Sequence, residues 1–434
     1  MSPTFASLRH RNYRIYATGS LVSNIGTWMG RVGQDWLVLT QLTNHSAEAL
    51  GIVTGLQFLP FLLLAPFAGM VADRFSKRHI LFATQSFLGV SALVLAALTL
   101  SGHVQLWQVY VIAFLQGVAT ALDNPARQSF VSEMVPQDSL TNAVALNSAS
   151  FNLGRLVGPG VAGLVIAAFG TGWALAVNGL SFAFVLVSLL SMRGGELTPA
   201  PRARGKGQIR QGVAYVRSRP DIMLVMGLVF VLGTFGMNFQ ITTALMATTE
   251  FHRGPSEYGL LGSIMAVGSL GGALLAARRR SPRLRVMLVA LGGFTVSTAL
   301  GALAPTYALF ALALVPMGLC ALTALTTANA MVQTSVDPQM RGRVMALYMA
   351  VFMGGTPVGA PIIGWVGEAF GARWTIGLGS LAVGLSLLAV AVLLGRRENV
   401  QVSFASHRRP RFRVRIDPVD PADVVDAPAP QAVR

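Results

Sequence analysis

The sequence predicts an all-α polytopic membrane protein with twelve spanning helices in two bundles of six. Three observations carry that prediction. Apolar side chains make up 53% of the 434 residues and charged ones only 12%, where a soluble domain carries about 25% charge. The apolar residues fall into about twelve runs, each near the roughly 20 residues that a helix needs to cross a hydrocarbon core about 30 Å thick. A polar segment rich in Pro, Gly and Arg then interrupts the chain near its middle.

In order, the first six runs lie near 15–40, 49–72, 80–101, 105–124, 140–169 and 172–192. The second six lie near 222–247, 258–277, 286–304, 306–329, 343–369 and 373–395. All are too long for barrel strands of about ten residues. Helices satisfy their own backbone hydrogen bonds inside lipid, so a helical bundle follows.

The breaks between runs carry the orientation. The net charge is +16, and the position of the basic residues decides what that charge means. Arg9, Arg11 and Arg14, then Arg74, Lys77 and Arg78, then Arg127, precede a cluster at Arg193, Arg202, Arg204, Lys206, Arg210, Arg217 and Arg219. Arg278, Arg279, Arg280, Arg283 and Arg285 follow, then Arg341 and Arg343, then the tail; the opposite side has only Arg253 and Arg373. This is the positive-inside pattern, with both termini cytoplasmic. It accounts for the basic excess without a nucleic-acid partner. The first apolar run is too long for a cleavable signal peptide and lacks a small-residue cleavage site. Cys320 is the single cysteine, so no intrachain disulfide forms.

Residues 193–221 are the linker between an N-terminal bundle over 1–192 and a C-terminal bundle over 222–395. Ile209, Val213 and Val216 stand at helical spacing among Arg210, Arg217 and Arg219, which suits a short amphipathic helix on the inner leaflet. An irregular basic loop fits the same residues. The two bundles also repeat each other. A shift of 201 residues pairs Gly117 with Gly318, Val135 with Val336, Phe151 with Phe352, Gly154 with Gly355, Gly158 with Gly359 and Gly163 with Gly364. Parallel repeats of this kind occur in secondary transporters, which bind substrate between the halves near the midplane. The tail, 396–434, combines block charge with Pro and is expected to be disordered and cytoplasmic.

Two stretches carry more than topology. GMVADRFSKRHIL, 69–81, sets Gly69 four residues before Asp73 on one helical face. A glycine there lets a neighbouring helix approach, and the acid is placed to cap a helix N-terminus. In GRLVGPGVAG, 154–163, Pro159 withholds a backbone donor while Gly154, Gly158 and Gly163 permit close helix packing. The pattern of Gly69, Asp73, Arg74 and Arg78 resembles the loop 2–3 signature of the major facilitator superfamily. GRLVGPGVAG resembles the motif of that family's drug/proton antiporters and exporters. LDNPARQSF, 122–130, and ALNSASFNLGRLVGPG, 145–160, are similar to the transmembrane secretion effector branch, which includes siderophore exporters.

The resemblance spans residues 5 to 395 and implies two six-helix bundles around a central cavity lined by the first, fourth, seventh and tenth helices. It implies that Asp73 braces the start of the eleventh helix near 341–344 and closes the cytoplasmic gate. Arg74, Lys77 or Arg78 is then expected to pair with Asp123, and Arg127 belongs to the same gating set. Two departures stand out. Gln116 and Gly117 are present, but the family's Arg three residues earlier is Ala113, so no coupling role transfers to that position. The second half, GGALLAARRRSPR at 271–283, lacks an equivalent of Asp73.

In the first run, Asn24, Trp28, Arg31 and Asp35 are spaced 4, 3 and 4, so they form one stripe. A charge facing lipid near the bilayer centre costs about 2.5–3.5 kcal/mol even on lenient scales, which turns this stripe inward. Arg155 in the fifth run lies nearer the centre. Two cations and one anion do not balance: either Arg155 finds a further partner, such as backbone carbonyls, or the surplus positive charge is left for an anionic or acceptor-rich substrate group. Asp35 is expected to pair with Arg31 or Arg155 when ionised and to release them when protonated; a permanent ion pair at that place is the other reading. Gln116, Asn238, Gln240 and Thr327 complete the expected substrate and proton path, although any one of them serves equally as helix glue.

No P-loop, H-E-x-x-H, G-x-S-x-G or C-x-x-C pattern is present, so neither ATP hydrolysis nor an enzyme active site is expected, and no metal or other cofactor. The expected function is a secondary active transporter working by alternating access, an exporter of a small molecule such as a siderophore, drug or secondary metabolite in exchange for protons. An importer of the same fold and a non-transporting sensor or assembly protein are the alternatives. Lys occurs only at Lys77 and Lys206, and with abundant Ala and Gly this suggests a high-GC bacterium, hence the plasma (inner) membrane. A monomer surrounded by lipid is expected.

Overall fold

The computed structural model describes residues 3–198, 208–279, 281–337, 339–397, 401–405 and 411–415. Residues 199–207 of the linker, Arg280 and most of the tail therefore lie outside the described residues. Contacts group the chain into two compact units, Met1–Gly384 and Leu385–Arg434.

In the first unit, α1 (Arg11–Leu37), α2 (Ala47–Arg74), α3 (Lys77–Leu100), α4 (Leu106–Met134), α5 (Gln137–Phe169) and α6 (Thr171–Leu190) follow one another through short turns. The linker contributes α7 (Gln208–Arg217), the short helix that the apolar spacing suggested. The second series is α8 (Pro220–Val231), α9 (Phe239–Leu245), α10 (Pro255–Ala277), α11 (Leu284–Ala302), α12 (Tyr307–Ser335), α13 (Arg341–Gly354), α14 (Thr356–Phe370) and α15 (Ala372–Arg397).

Among the described residues, 11 segments are long and apolar enough to cross a membrane. α1, which carries Asn24, Arg31, Gln34 and Asp35, is not among them. It is 27 residues long, about 40 Å at roughly 1.5 Å per residue, and it packs against α5 and α6.

Two of the expected runs are broken. The seventh consists of α8, a π-helical turn at Leu232–Gly236 and α9. Asn238 closes the break: its Nδ2 donates to the Thr234 carbonyl at 2.7 Å, which satisfies an acceptor that lipid would leave bare. The eleventh is α13 and α14, meeting at Gly355 just before Pro357. A Cβ on Gly359 would run into the Thr234 carbonyl oxygen, so the two breaks are packed on each other.

The internal repeat is visible in the element ends. α4 and α12 are each 29 residues long and start and finish at the same 201-residue offset. The end of α5 at Phe169 and of α14 at Phe370 keep it, as do the starts of α6 and α15. α2 and α10 do not, because the connections before and after them differ in length.

The second unit holds the end of α15 and a two-stranded antiparallel ribbon, Gln401–Ala405 with Arg411–Arg415, pairing Val402 with Val414 and Phe404 with Phe412. The rest of the tail, for which disorder is expected over 396–434, lies outside the described residues. Val402 and Phe404, then Phe412 and Val414, recur with the period of 2 that favours strands.

Candidate functional site

Tight glycine contacts set the geometry of the site. α5 lies against α1 because Gly154 and Gly158 have no side chain: a Cβ on Gly154 would meet the Asn24 backbone at 2.8 Å, and one on Gly158 would meet Trp28 Cβ at 2.6 Å. That approach brings Arg155 to Trp28. Arg31 Cζ stands 4.9 Å from the centre of the Trp28 rings and Arg155 Cζ 5.8 Å from it. Phe58 of α2 lies 5.9 Å from Arg31, and Phe151 meets Trp28 edge-on at 5.8 Å. The salt bridges among the described residues are Lys77–Glu133, Arg127–Asp123, Arg193–Glu196, Arg219–Asp221 and Arg373–Glu250. Neither arginine of the cluster takes part in one, so their charge is answered by aromatic faces.

Asp35 departs from its expected partners. Its carboxylate, 5% exposed, accepts a hydrogen bond from Tyr258 of α10 at 3.0 Å, and neither Arg31 nor Arg155 forms an ion pair with it. The neighbouring Trp36 stacks on Tyr258 with ring centres 6.1 Å apart. Asp35 is thus tied to the other half of the molecule, because its position one turn beyond Arg31 carries it past the cluster to the end of α10.

The same end of the bundle holds further close contacts between the halves. Gly163 abuts Pro255 and Ser256, Gly259 abuts Pro159, and the Ser263 hydroxyl accepts from the Gly160 backbone N–H at 3.1 Å. On the opposite flank Gly51 of α2 meets Ala360 and Gly364 of α14. There Glu368 Oε2 accepts from the Ala47 N–H at 2.8 Å and from the Ser46 hydroxyl at 3.2 Å, so a carboxylate from the second half caps the N-terminus of α2.

The remaining path residues are placed differently. Asn24 donates to Ser150 at 3.0 Å, across the α1–α5 seam. Gln116 donates to Ser91 of α3 at 3.2 Å. Asn238 is spent on the break described above, and Thr327 donates to the Thr323 carbonyl of its own helix at 2.7 Å. Gln240 lies half-buried at the start of α9.

At the far end, where α2 finishes and α3 begins, the gating residues do not form the expected set. Asp73 is exposed and has no hydrogen-bond or ion-pair partner among the described residues. A Cβ on Gly69 would touch nothing within 4 Å, so no helix crosses closely there. Arg74 sits 6.0 Å from the Phe75 ring, and Arg78 donates to the Leu189 carbonyl at 2.9 Å, at the end of α6. The pairing of Asp123 with Arg74, Lys77 or Arg78 is corrected. Asp123 accepts from Thr84 and Gln85, each at 2.7 Å, and from Arg127 at 2.8 Å, while Lys77 bonds Glu133 at 2.7 Å. Arg127 stands one turn beyond Asp123 on α4, a spacing at which opposite charges meet without help from another helix. A separate cleft of about 400 Å³ at this end, lined in part by Arg9, Arg11, Glu133 and Glu196, includes none of the path residues.

Sequence reasoning missed Tyr258, Glu368, Phe58 and Phe151. Glu368 was detectable as an acid within the last turn of an apolar run; the others look like ordinary aromatic residues of spanning helices.

The family model described as "Transmembrane secretion effector" matches residues 2–419. The staphyloferrin A transporter of Staphylococcus aureus is 24% identical over 405 residues, covering 91% of this chain and 99% of that protein. The enterobactin exporter EntS of Shigella boydii is 24% identical over 375 residues, covering 85% of this chain and 89% of that protein. Among solved structures, the nucleoside transporter NupG superposes with a TM-score of 0.67 at 14% identity, covering 88% of this chain and 99% of that chain. A bacterial homologue of the human lysosomal transporter Spinster, in an inward-facing and unoccupied conformation, gives a TM-score of 0.66 at 15% identity, covering 91% and 96%.

Proposed function

The chain belongs to the transmembrane secretion effector family, and from that premise we propose that it exports a small molecule across the bacterial plasma membrane by alternating access, in exchange for protons. It is a multi-pass membrane protein of the major facilitator fold, and its family are transporters and not enzymes. The reading takes residues 1–192 and 222–395 as the two moving bundles, with both termini cytoplasmic and the linker between them. Siderophores are the substrate class that the names of the relatives suggest.

One observation carries the mechanism: the close contacts between the bundles gather at the end where α1 finishes, while Asp73 at the other end has no partner. With a cytoplasmic N-terminus, this is a state closed outward and open inward. In the opposite state Asp73 caps the start of α13, as Glu368 caps α2 here. The change between states exchanges one carboxylate cap for the other. Asp35 is taken as the proton-responsive member, because it is a buried acid that bonds Tyr258 across the closing seam. The protein works as a monomer.

The test is a reversible lock. A Cβ built on Gly160 stands 4.0 Å from Ser263 Cβ, within the roughly 3.5–4.5 Å of a disulfide. The metabolite that disappears from the culture medium on deletion of the gene supplies the flux to be measured in reconstituted vesicles. Gly160→Cys with Ser263→Cys, on a Cys320→Ala background, should lose that flux on oxidation and regain it with reductant. Unchanged flux through fully crosslinked protein refutes alternating access about this seam.

A further inference from the structure

We propose that Arg31 and Arg155, set on either side of Trp28, form a binding site for the anionic head of an aromatic organic anion, with Phe58 and Phe151 taking its ring. The proposal rests on the export reading and names the chemical class that the exporter accepts.

The argument begins with charge. Two guanidinium groups converge on one indole at 4.9 and 5.8 Å, both half-buried within spanning helices, and neither forms a salt bridge. The acid that stands nearest in the sequence, Asp35, is engaged by Tyr258 and pairs with neither. Cations held away from water at membrane depth ordinarily pair with an acid or a carbonyl. A cation over an aromatic face recovers only part of the lost hydration. The pair is therefore short of an anion, and a carboxylate or another planar oxygen anion fits the guanidinium fork in two-point fashion.

Geometry supplies the second step. Gly154 and Gly158 press α5 onto α1, so Arg155 is held at Trp28 by backbone contact and is already in place before a ligand arrives. Such preorganisation reduces the cost of binding. Phe58 lies 5.9 Å from Arg31, and Phe151 is 51% exposed and meets Trp28 edge-on. An exposed aromatic edge beside two cations that form no salt bridge suits a ligand that carries its anion on a ring. The closing bond at Asp35 lies four residues beyond Arg31, about 6 Å along the helix at roughly 1.5 Å per residue. The cluster thus stands directly beneath the sealed end, where a substrate is held before release to the other side.

The test uses purified full-length protein in detergent and three probes: 1-naphthoate, neutral 1-naphthamide and non-aromatic cyclohexanecarboxylate, titrated calorimetrically. Naphthoate should bind at least about tenfold more tightly than naphthamide, and more tightly than cyclohexanecarboxylate. Arg31→Gln and Arg155→Gln should each weaken naphthoate by about tenfold or more and leave naphthamide unchanged, with Arg31→Lys and Arg155→Lys in between. Equal affinity for naphthoate and naphthamide in the wild-type protein overturns the proposal, and that comparison needs no variant to fold. Naphthoate binding that survives both Gln substitutions overturns it too, by placing the anion elsewhere. Protein that discriminates the probes yet exports nothing keeps the site and loses the transport reading. Protein that exports without discriminating does the reverse.

Discussion

Tyr258→Phe removes one oxygen atom from the seam between the bundles. The hydroxyl donates to Asp35 at 3.0 Å between two buried residues, while the ring stacks on Trp36 and remains in the variant. A hydrogen bond to a charged acceptor contributes about 1.5–3 kcal/mol. α1 and α10 belong to opposite bundles, so the bond exists only while this end is closed, and its loss is felt almost wholly by that state. Since 1.4 kcal/mol is about a factor of ten, the ratio of open to closed should rise about tenfold to a hundredfold. Spin labels on Asn44 and Arg253, exposed in the loops before α2 and α10, report the opening by pulsed electron resonance. The variant should gain a long-distance population that the wild type shows weakly or not at all, with no loss of thermal stability. Distance distributions that superimpose would mean that Asp35 and Tyr258 form a passive contact, and the role of Asp35 at the gate would fall with them.

Three further expectations use other contacts. Glu368→Ala removes the cross-bundle cap from the α2 N-terminus, where Ser46 still accepts from Ala49, and should shift the same label distances in the same direction by a smaller step, about 0.5–1 kcal/mol for an exposed cap; Glu368→Gln, which keeps an acceptor oxygen, should recover part of it, and no shift in either variant would exclude a latch. Asp123→Asn leaves Arg127 without its anion in a buried network, so the melting temperature in detergent should fall by the equivalent of about 3–5 kcal/mol; a melt within error of wild type would show that water answers the guanidinium. Asp73→Asn should impair export at normal protein levels and leave the melting temperature unchanged, because Asp73 has no partner among the described residues; full export activity would remove Asp73 from the gate.

Much of the architecture was legible because hydrocarbon imposes few solutions. Run length alone gave the spans, and one offset of 201 residues gave the repeat that the ends of α4 and α12 keep. The stripe on α1 was legible for the same reason, since Arg31 and Asp35 are costly anywhere except inside. Partners were a different matter. The partner of Asp123 is not legible from the loops, because the basic ones offer many candidates, whereas the arginine that meets it stands at i,i+4 on its own helix. Asp35 bonds a tyrosine 223 residues away, which no local spacing encodes. A sequence records which groups need an answer inside a membrane, whereas the group that answers is fixed by how helices from two bundles meet.

That distinction bears on how the closed end works. Among the described residues its contacts are largely backbone against glycine, at Gly51, Gly163, Gly259 and Gly364, with polar ties at Asp35, Gly160 and Glu368. Glycine seams supply close packing without directional bonds, so they separate and re-form without leaving a buried donor or acceptor bare. The few polar ties then set the balance between states, and each is worth an amount that a proton or a bound anion can match. A transporter that must favour each state in turn needs a gap of a few kcal/mol between them. A seam laced with many buried ion pairs, such as Lys77–Glu133 and Asp123–Arg127 within the first bundle, would hold one state too firmly for any substrate to reverse.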